Sequence, residues 1–152
     1  MIKIINGDIL KATDRDIILH QVNCKGVMGG GLAKQIRQHH PDLYWKYYTH
    51  CKQNTHLLGT VLYYKLPQYI IANCFAQDDY GRTKQYTDYE ALQKCFIEIG
   101  ILADKYREQG SNLKIGIPYR IGCGLGGGDW NIVYNMICET FDGLDVVIYR
   151  KD

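Results

Sequence analysis

The chain has 152 residues, enough for one domain whose core buries about two thirds of the unfolded surface. Apolar residues make up 46% and charged residues 22%, which excludes a disordered or low-complexity chain, and no apolar run approaches the length of a membrane span. Eighteen basic against sixteen acidic side chains leave a net charge of +2, so bulk positive charge is not what selects a partner.

The segment Met1 to Asp8 turns polar too soon for a secretory core, and a cytoplasmic protein is expected. Cys24, Cys51, Cys74, Cys95, Cys123 and Cys138 are scattered without a Cys-x-x-Cys pair. They read as reduced thiols, with neither a disulfide framework nor a metal site, and no cofactor is expected.

In chain order, Lys3 to Ile5 and Ile17 to Val22 read as strands, and a helix opens over Leu32 to Gln38 and ends at Pro41. Asp42 caps a second helix to about Gln53, because Leu43, Tyr47 and Cys51 recur at four-residue spacing. Basic and aromatic residues interleave from Lys34 to Tyr48, as a single-strand binder requires. Helical spacing nonetheless assigns Trp45 and Tyr48 to the core, which ranks nucleic acid low as a partner except as a modified substrate.

Thr60 to Leu66 and Tyr69 to Phe75 form a strand pair about Pro67-Gln68. After a polar loop, Thr87 stands where a cap belongs and an amphipathic helix runs through Ala91, Leu92, Cys95 and Ile99 to about Gln109, with Gly110 as its stop. Leu113 to Ile117 is a strand, Ile132 to Phe141 a helix, and Leu144 to Tyr149 a final strand. This alternation predicts an α/β sandwich with helices on both faces of the sheet and a ligand site beyond the carboxyl ends of its strands.

Two glycine-rich segments lie at that edge, Gly26-Val27-Met28-Gly29-Gly30-Gly31 and Gly122-Cys123-Gly124-Leu125-Gly126-Gly127-Gly128. Each falls between a strand and a helix, where close backbone approach and unsatisfied helix N–H groups suit phosphate. Two such loops can grip a diphosphate, so a phosphorylated nucleotide is the expected ligand. Gly122, Gly124 and Gly127 satisfy G-x-G-x-x-G, but a dinucleotide fold wants an acidic residue at the end of the next strand, and here that end reads Tyr149-Arg150. Cys123 lacks the arginine six positions on that a cysteine phosphatase needs, since position 129 is Asp, and it reads as a core thiol. Neither loop ends in Lys followed by Ser or Thr, which excludes a Walker-type NTPase.

The run His20 to Ala33, the preceding Asn6-Gly7-Asp8-Ile9 and the run Ile121 to Trp130 together resemble the macrodomain family of ADP-ribose-binding modules. The resemblance spans nearly the whole chain as a single domain. It implies a three-layer α/β/α fold with a central mixed sheet, and Asp8 with the Ile9 backbone at the adenine. It further implies Asn23, Gly29, Gly30, Gly31 and the adjoining Leu32 at the distal ribose. Ile121, Gly122, Cys123, Gly124, Leu125 and Gly126 would wrap the diphosphate, with Tyr149 or Arg150 near the adenine.

The Gly-Cys-Gly-Leu loop and the strand histidine are similar to the branch of terminal ADP-ribose protein glycohydrolase and DNA-ADP-ribosyl glycohydrolase antitoxins. Its glycohydrolase lysine after the central strand is missing from Ile71 to Gln77, and the Asp expected after Leu125 is Gly126. The other hydrolase branch has Gly-Gly-Gly-Val-Asp where this chain has Gly29-Gly30-Gly31-Leu32-Ala33. The expectation is therefore ADP-ribose binding with hydrolysis of a derivative at the distal ribose, an ADP-ribose 1''-phosphate or ADP-ribosyl ester, in which His20 and Asn23 position or activate water. Asp78, Asp79 and Lys84 of the polar loop are substitute candidates. The rival reading is a non-catalytic reader of ADP-ribose.

Overall fold

Six short runs rich in Ile, Val and Tyr pair into one sheet in the computed structural model, which describes residues 2–151. They are β1 (Ile2–Asn6), β2 (Ile17–Asn23), β3 (Val61–Lys65), β4 (Ile70–Gln77), β5 (Lys114–Pro118) and β6 (Asp145–Arg150). Their order across the sheet is β1-β6-β5-β2-β4-β3. Every neighbouring pair is parallel except β3 and β4, which are antiparallel, so the sheet is mixed.

Helices α1 (Gly31–His39) and α2 (Pro41–Gln53) cover one face, and α3 (Tyr89–Glu108) and α4 (Trp130–Thr140) the other, as the three-layer expectation requires. The strand period of two divides the core accordingly. Ile18, Val22, Ile71 and Phe75 pack with Ile36, Leu43 and Tyr47 of α1 and α2, while Ile17, Leu19, Ala72, Cys74 and Ala76 pack with Leu92, Phe96 and Ile137 of α3 and α4. With both faces covered, β2 is buried almost without interruption, polar His20 and Asn23 included. The Tyr47 and Phe75 rings stack at 5.9 Å, and those of Phe96 and Phe141 lie 5.4 Å apart on the opposite side. Full burial of such a side chain contributes about 1.5–3 kcal/mol.

Several local expectations change. Pro41 does not merely end a helix: it opens α2 in the first turn, where its missing N–H costs nothing, and His40 rather than Asp42 is the cap residue. Asp88 caps α3, its carboxylate accepting from Ala91 N at 3.0 Å, which frees Thr87 for another task. Asp129 caps α4 in the same way through Asn131 N at 2.9 Å. Trp45, assigned to the core by spacing, is 58% exposed, because the buried stripe of α2 runs through Leu43, Tyr44 and Tyr47 instead.

Candidate functional site

The carboxyl ends of β1, β6, β5, β2 and β4 share one edge of the sheet, and two adjoining cavities of about 450 and 460 Å³ lie along it. The smaller sits over β1 and β6, between Asp8, Ile9, Tyr149 and Arg150. The larger spans β5, β2 and β4 and holds Asn23, Gly29, Gly30, Gly31, Ile121, Gly122, Gly124, Leu125 and Gly126 in its wall. Leu32, Pro118, Tyr119 and Arg120 belong to both, so the two form one continuous groove. Both glycine segments and the Asn6-Gly7-Asp8-Ile9 motif thus meet in a single place.

The first glycine loop is braced from beneath. Asn23 Nδ2 donates to Val27 O at 2.8 Å, and its Oδ1 accepts from Lys25 N at 3.0 Å and Val27 N at 3.3 Å. The Tyr47 hydroxyl lies 2.7 Å from Asn23 O and 2.9 Å from its Oδ1, and Tyr44 donates to Gly26 O at 3.0 Å. Gly26 has φ +80° and faces the Tyr48 ring, which a Cβ would approach to 3.2 Å. Gly30 precedes α1, and the amides of Gly31, Leu32 and Ala33 have no acceptor among the described residues. Asn23 is therefore largely spent on shaping its own loop, with one amide hydrogen left over.

The second loop is held by its carbonyls. Thr87 Oγ1 donates to Gly122 O at 2.6 Å, Gly128 N donates to the same oxygen at 2.9 Å, and Gly126 O accepts from Tyr86 N at 2.7 Å and Thr87 N at 3.0 Å. Gln21 Nε2 reaches both Thr87 Oγ1 at 2.8 Å and Gln77 Oε1 at 2.7 Å. The amides of Gly124, Leu125 and Gly126 meanwhile have no acceptor among the described residues. With carbonyls tied back and amides unspent, the loop has a geometry that suits an anion. Cys123 departs from the expected set: its thiol is buried, donates to Ile121 O at 3.4 Å and is absent from the cavity wall. Burial pushes that thiol up to about 11 despite Arg120 nearby, which disfavours the thiolate.

At the opposite end, Asp8 Oδ1 accepts from Leu10 N at 3.0 Å and Oδ2 from Lys151 Nζ at 3.2 Å. Its partial burial favours the neutral acid, but the Leu10 N–H and the Lys151 and Lys11 cations outweigh this and hold its pKa below the ordinary value. Asp8 is thus an ionised acceptor with lone pairs to spare at the rim of the smaller cavity.

His20 lines the larger cavity as a buried, hydrogen-bonded ring. It lies on the α1/α2 face of β2 and is 2% exposed, with Nε2 against Asn73 Oδ1 at 2.5 Å. Asn73 Nδ2 donates to Leu62 O at 2.9 Å, which fixes Asn73 Oδ1 as the acceptor and His20 as the Nε2–H tautomer. Complete burial pushes its pKa down to about 4 against the opposing pull of the Asn73 hydrogen bond, and Nδ1 is sealed without a partner. Burial favours the neutral ring, which ties β2 to Asn73 of β4. In the polar segment after β4, Asp78 pairs with Lys25 at 3.4 Å and Asp79 accepts from Tyr80 N at 2.8 Å. Neither they nor Lys84 line the groove; Gln77, Tyr80, Gly81 and Arg82 do.

Arg120 was not singled out by sequence. It carries φ +62°, rare for a non-glycine residue, donates to Cys123 O at 3.1 Å and stands where the two cavities join. The larger cavity presents Arg82 and Arg120 and has no carboxylate or lysine in its wall among the described residues.

Fold and site define an α/β protein whose strand-end groove is rimmed by free backbone amides. The family model for the Macro domain matches residues 19–137, and the chain belongs to that family of ADP-ribose-binding modules. It is 28% identical over 163 aligned residues to an ADP-ribose 1''-phosphate phosphatase of Lodderomyces elongisporus, covering 99% of both chains. It is also 28% identical to the DNA ADP-ribosyl glycohydrolase of Mycobacterium tuberculosis, covering 95% of this chain but 40% of that protein. The solved macrodomain of Mycobacterium tuberculosis DarG superposes with a TM-score of 0.82 at 26% identity, over 98% of this chain and 97% of that one.

Proposed function

We propose that the groove binds ADP-ribose along its length and hydrolyses ADP-ribose 1''-phosphate to ADP-ribose and inorganic phosphate. Adenine lies at Asp8, Ile9 and Tyr149, the diphosphate against the amides of Gly124, Leu125 and Gly126 near Arg120, and the distal ribose between the first glycine loop and the end of β4. The observation that carries the reading is the groove itself, which runs from an ionised acceptor at β1 past two amide-rimmed loops.

The charge of the larger cavity favours a terminal phosphate over a neutral ester, because among the described residues two guanidinium groups face it and no carboxylate does. The full-length relative that acts on ADP-ribose 1''-phosphate supports the same choice. Water cleaves the phosphate ester while His20 and Asn23 hold the loop that orients the distal ribose, and Arg82 and Arg120 balance the departing phosphate.

The same lining supports a second reading. Among the described residues no exposed acid or base other than Tyr80 and Arg82 lines the distal end, so the groove also suits a reader that binds without turnover. Phosphate release from ADP-ribose 1''-phosphate, measured beside ADP-ribose calorimetry, decides. Release above the uncatalysed rate supports the phosphatase. Tight binding with no turnover of the phosphate, O-acetyl, glutamyl or nucleobase derivatives establishes the reader.

A further inference from the structure

Trp45 is the most exposed large apolar side chain among the described residues, at 58%. Its indole is held edge-on by two neighbours, Tyr44 at 5.3 Å and Tyr48 at 5.6 Å between ring centroids. Cations flank this row: the Arg37 guanidinium lies 4.1 Å from the Tyr44 ring centroid and Lys52 Nζ 5.1 Å from that of Tyr48. Across α1 and α2 the basic residues Lys34, Arg37, Lys46 and Lys52 face a single acid, Asp42. An aromatic surface bordered by cations rather than aliphatic side chains suits a ligand with flat rings and regularly spaced negative charge.

We infer that this face of α2 binds single-stranded nucleic acid, with a base stacked on Trp45 and backbone phosphates at Arg37 and Lys52. A duplex keeps its bases inside the stack and cannot offer one to Trp45. No residue of α2 lines either cavity, so the surface is separate from the ADP-ribose groove and does not depend on the proposed activity. Tyr44 nonetheless reaches the first glycine loop through its bond to Gly26 O, which places the surface directly behind that loop.

The test is fluorescence anisotropy with labelled twelve-nucleotide dT and rU strands and a labelled duplex, at 50 and 200 mM salt. Single strands should bind at least tenfold more tightly than the duplex, and the higher salt should weaken binding about five- to tenfold if two phosphates are neutralised. The dT and rU arms show whether the sugar is read. Trp45→Ala should weaken binding about five- to a hundredfold and Lys52→Glu at least threefold, while ADP-ribose affinity measured by calorimetry stays unchanged in both. Saturating ADP-ribose should not displace the strand. Absence of binding, equal binding of duplex, an unaffected Trp45→Ala variant, displacement by ADP-ribose, or sedimentation showing a Trp45-dependent dimer would each overturn the inference.

Discussion

The Thr87 hydroxyl donates to the Gly122 carbonyl oxygen across 2.6 Å, joining the residue before the α3 cap to the start of the second glycine loop. That bond, with the two amides that Tyr86 and Thr87 donate to Gly126 O, turns the loop carbonyls away and leaves its amides for an anion. Thr87→Ala should therefore weaken ADP-ribose about tenfold, the cost of one buried hydrogen bond, while AMP affinity changes little. Thr87→Ser should restore the diphosphate-dependent part. Calorimetry with both ligands checks it, and an equal loss for AMP would assign Thr87 to general stability.

Two glycines separate rigid from yielding contacts. A Cβ at Gly126 would come within 2.7 Å of the Gly122 carbonyl oxygen and closer still to Thr87 Oγ1, whereas one at Gly30 would meet only the Leu125 Cδ1 tip at 2.5 Å. Gly126→Ala should lower stability by about 1–3 kcal/mol, several degrees in Tm for a chain of this size. Gly30→Ala should cost much less in Tm, because Leu125 is 46% exposed and free to swing.

Asp8→Ala should weaken ADP-ribose binding about ten- to a hundredfold, in line with a hydrogen bond to a charged acceptor. The hypoxanthine analogue, which lacks the amino group, should bind the unaltered protein as weakly as ADP-ribose binds the variant. Indistinguishable affinities for the two nucleotides would remove Asp8 from base recognition.

His20 makes stability depend on pH with a defined sign. Its folded pKa of about 4 lies below the ordinary 6.5, so the unfolded chain binds the proton first. The contribution is complete above pH 6.5 and is lost as pH falls toward 4, up to about 3 kcal/mol at 1.36 kcal/mol per unit. Urea unfolding of His20→Gln should show a flatter profile than the unaltered protein between pH 6.5 and 5, a window above the titration of ordinary carboxylates. Parallel profiles would contradict the sealed, neutral imidazole.

No lysine lines the larger cavity among the described residues, and Lys84 instead lies 5.4 Å from the Tyr86 ring centroid. Borohydride trapping during turnover should add no mass to the protein, and Lys84→Ala should keep most activity. An adduct on any lysine would require a different chemistry.

The glycine loops and the order of strands and helices were legible because each rests on local signals: turn residues, hydrophobic period and caps; the place of Asp8 was implied by the family resemblance. What escaped depends on direction rather than type. Trp45 and Tyr44 are adjacent in sequence, yet one helical step of about 100° separates a buried ring from an exposed one. Asp78, Asp79 and Lys84 drew notice by their charge, but the first two find partners nearby and it is Tyr80 and Arg82 that reach the cavity. His20 offered a titratable group on a strand, and only the packing of α1 and α2 over that face shows that its ring is buried and held against Asn73. Arg120 gave no signal, since its backbone conformation is imposed by the loop it begins.

Because β1 lies beside β6, the acceptor at Asp8 and the cation at Lys151 meet although 143 positions separate them along the chain. A nucleotide base seated there touches both ends of that span, while its phosphates rest on loops from the interior of the sequence. The ligand would thus act as a tether as well as a cargo, pinning an exposed edge strand whose own side chains contribute little to the core. Occupancy should then be felt as mechanical and proteolytic resistance at β1, far along the chain from the loops that hold the diphosphate.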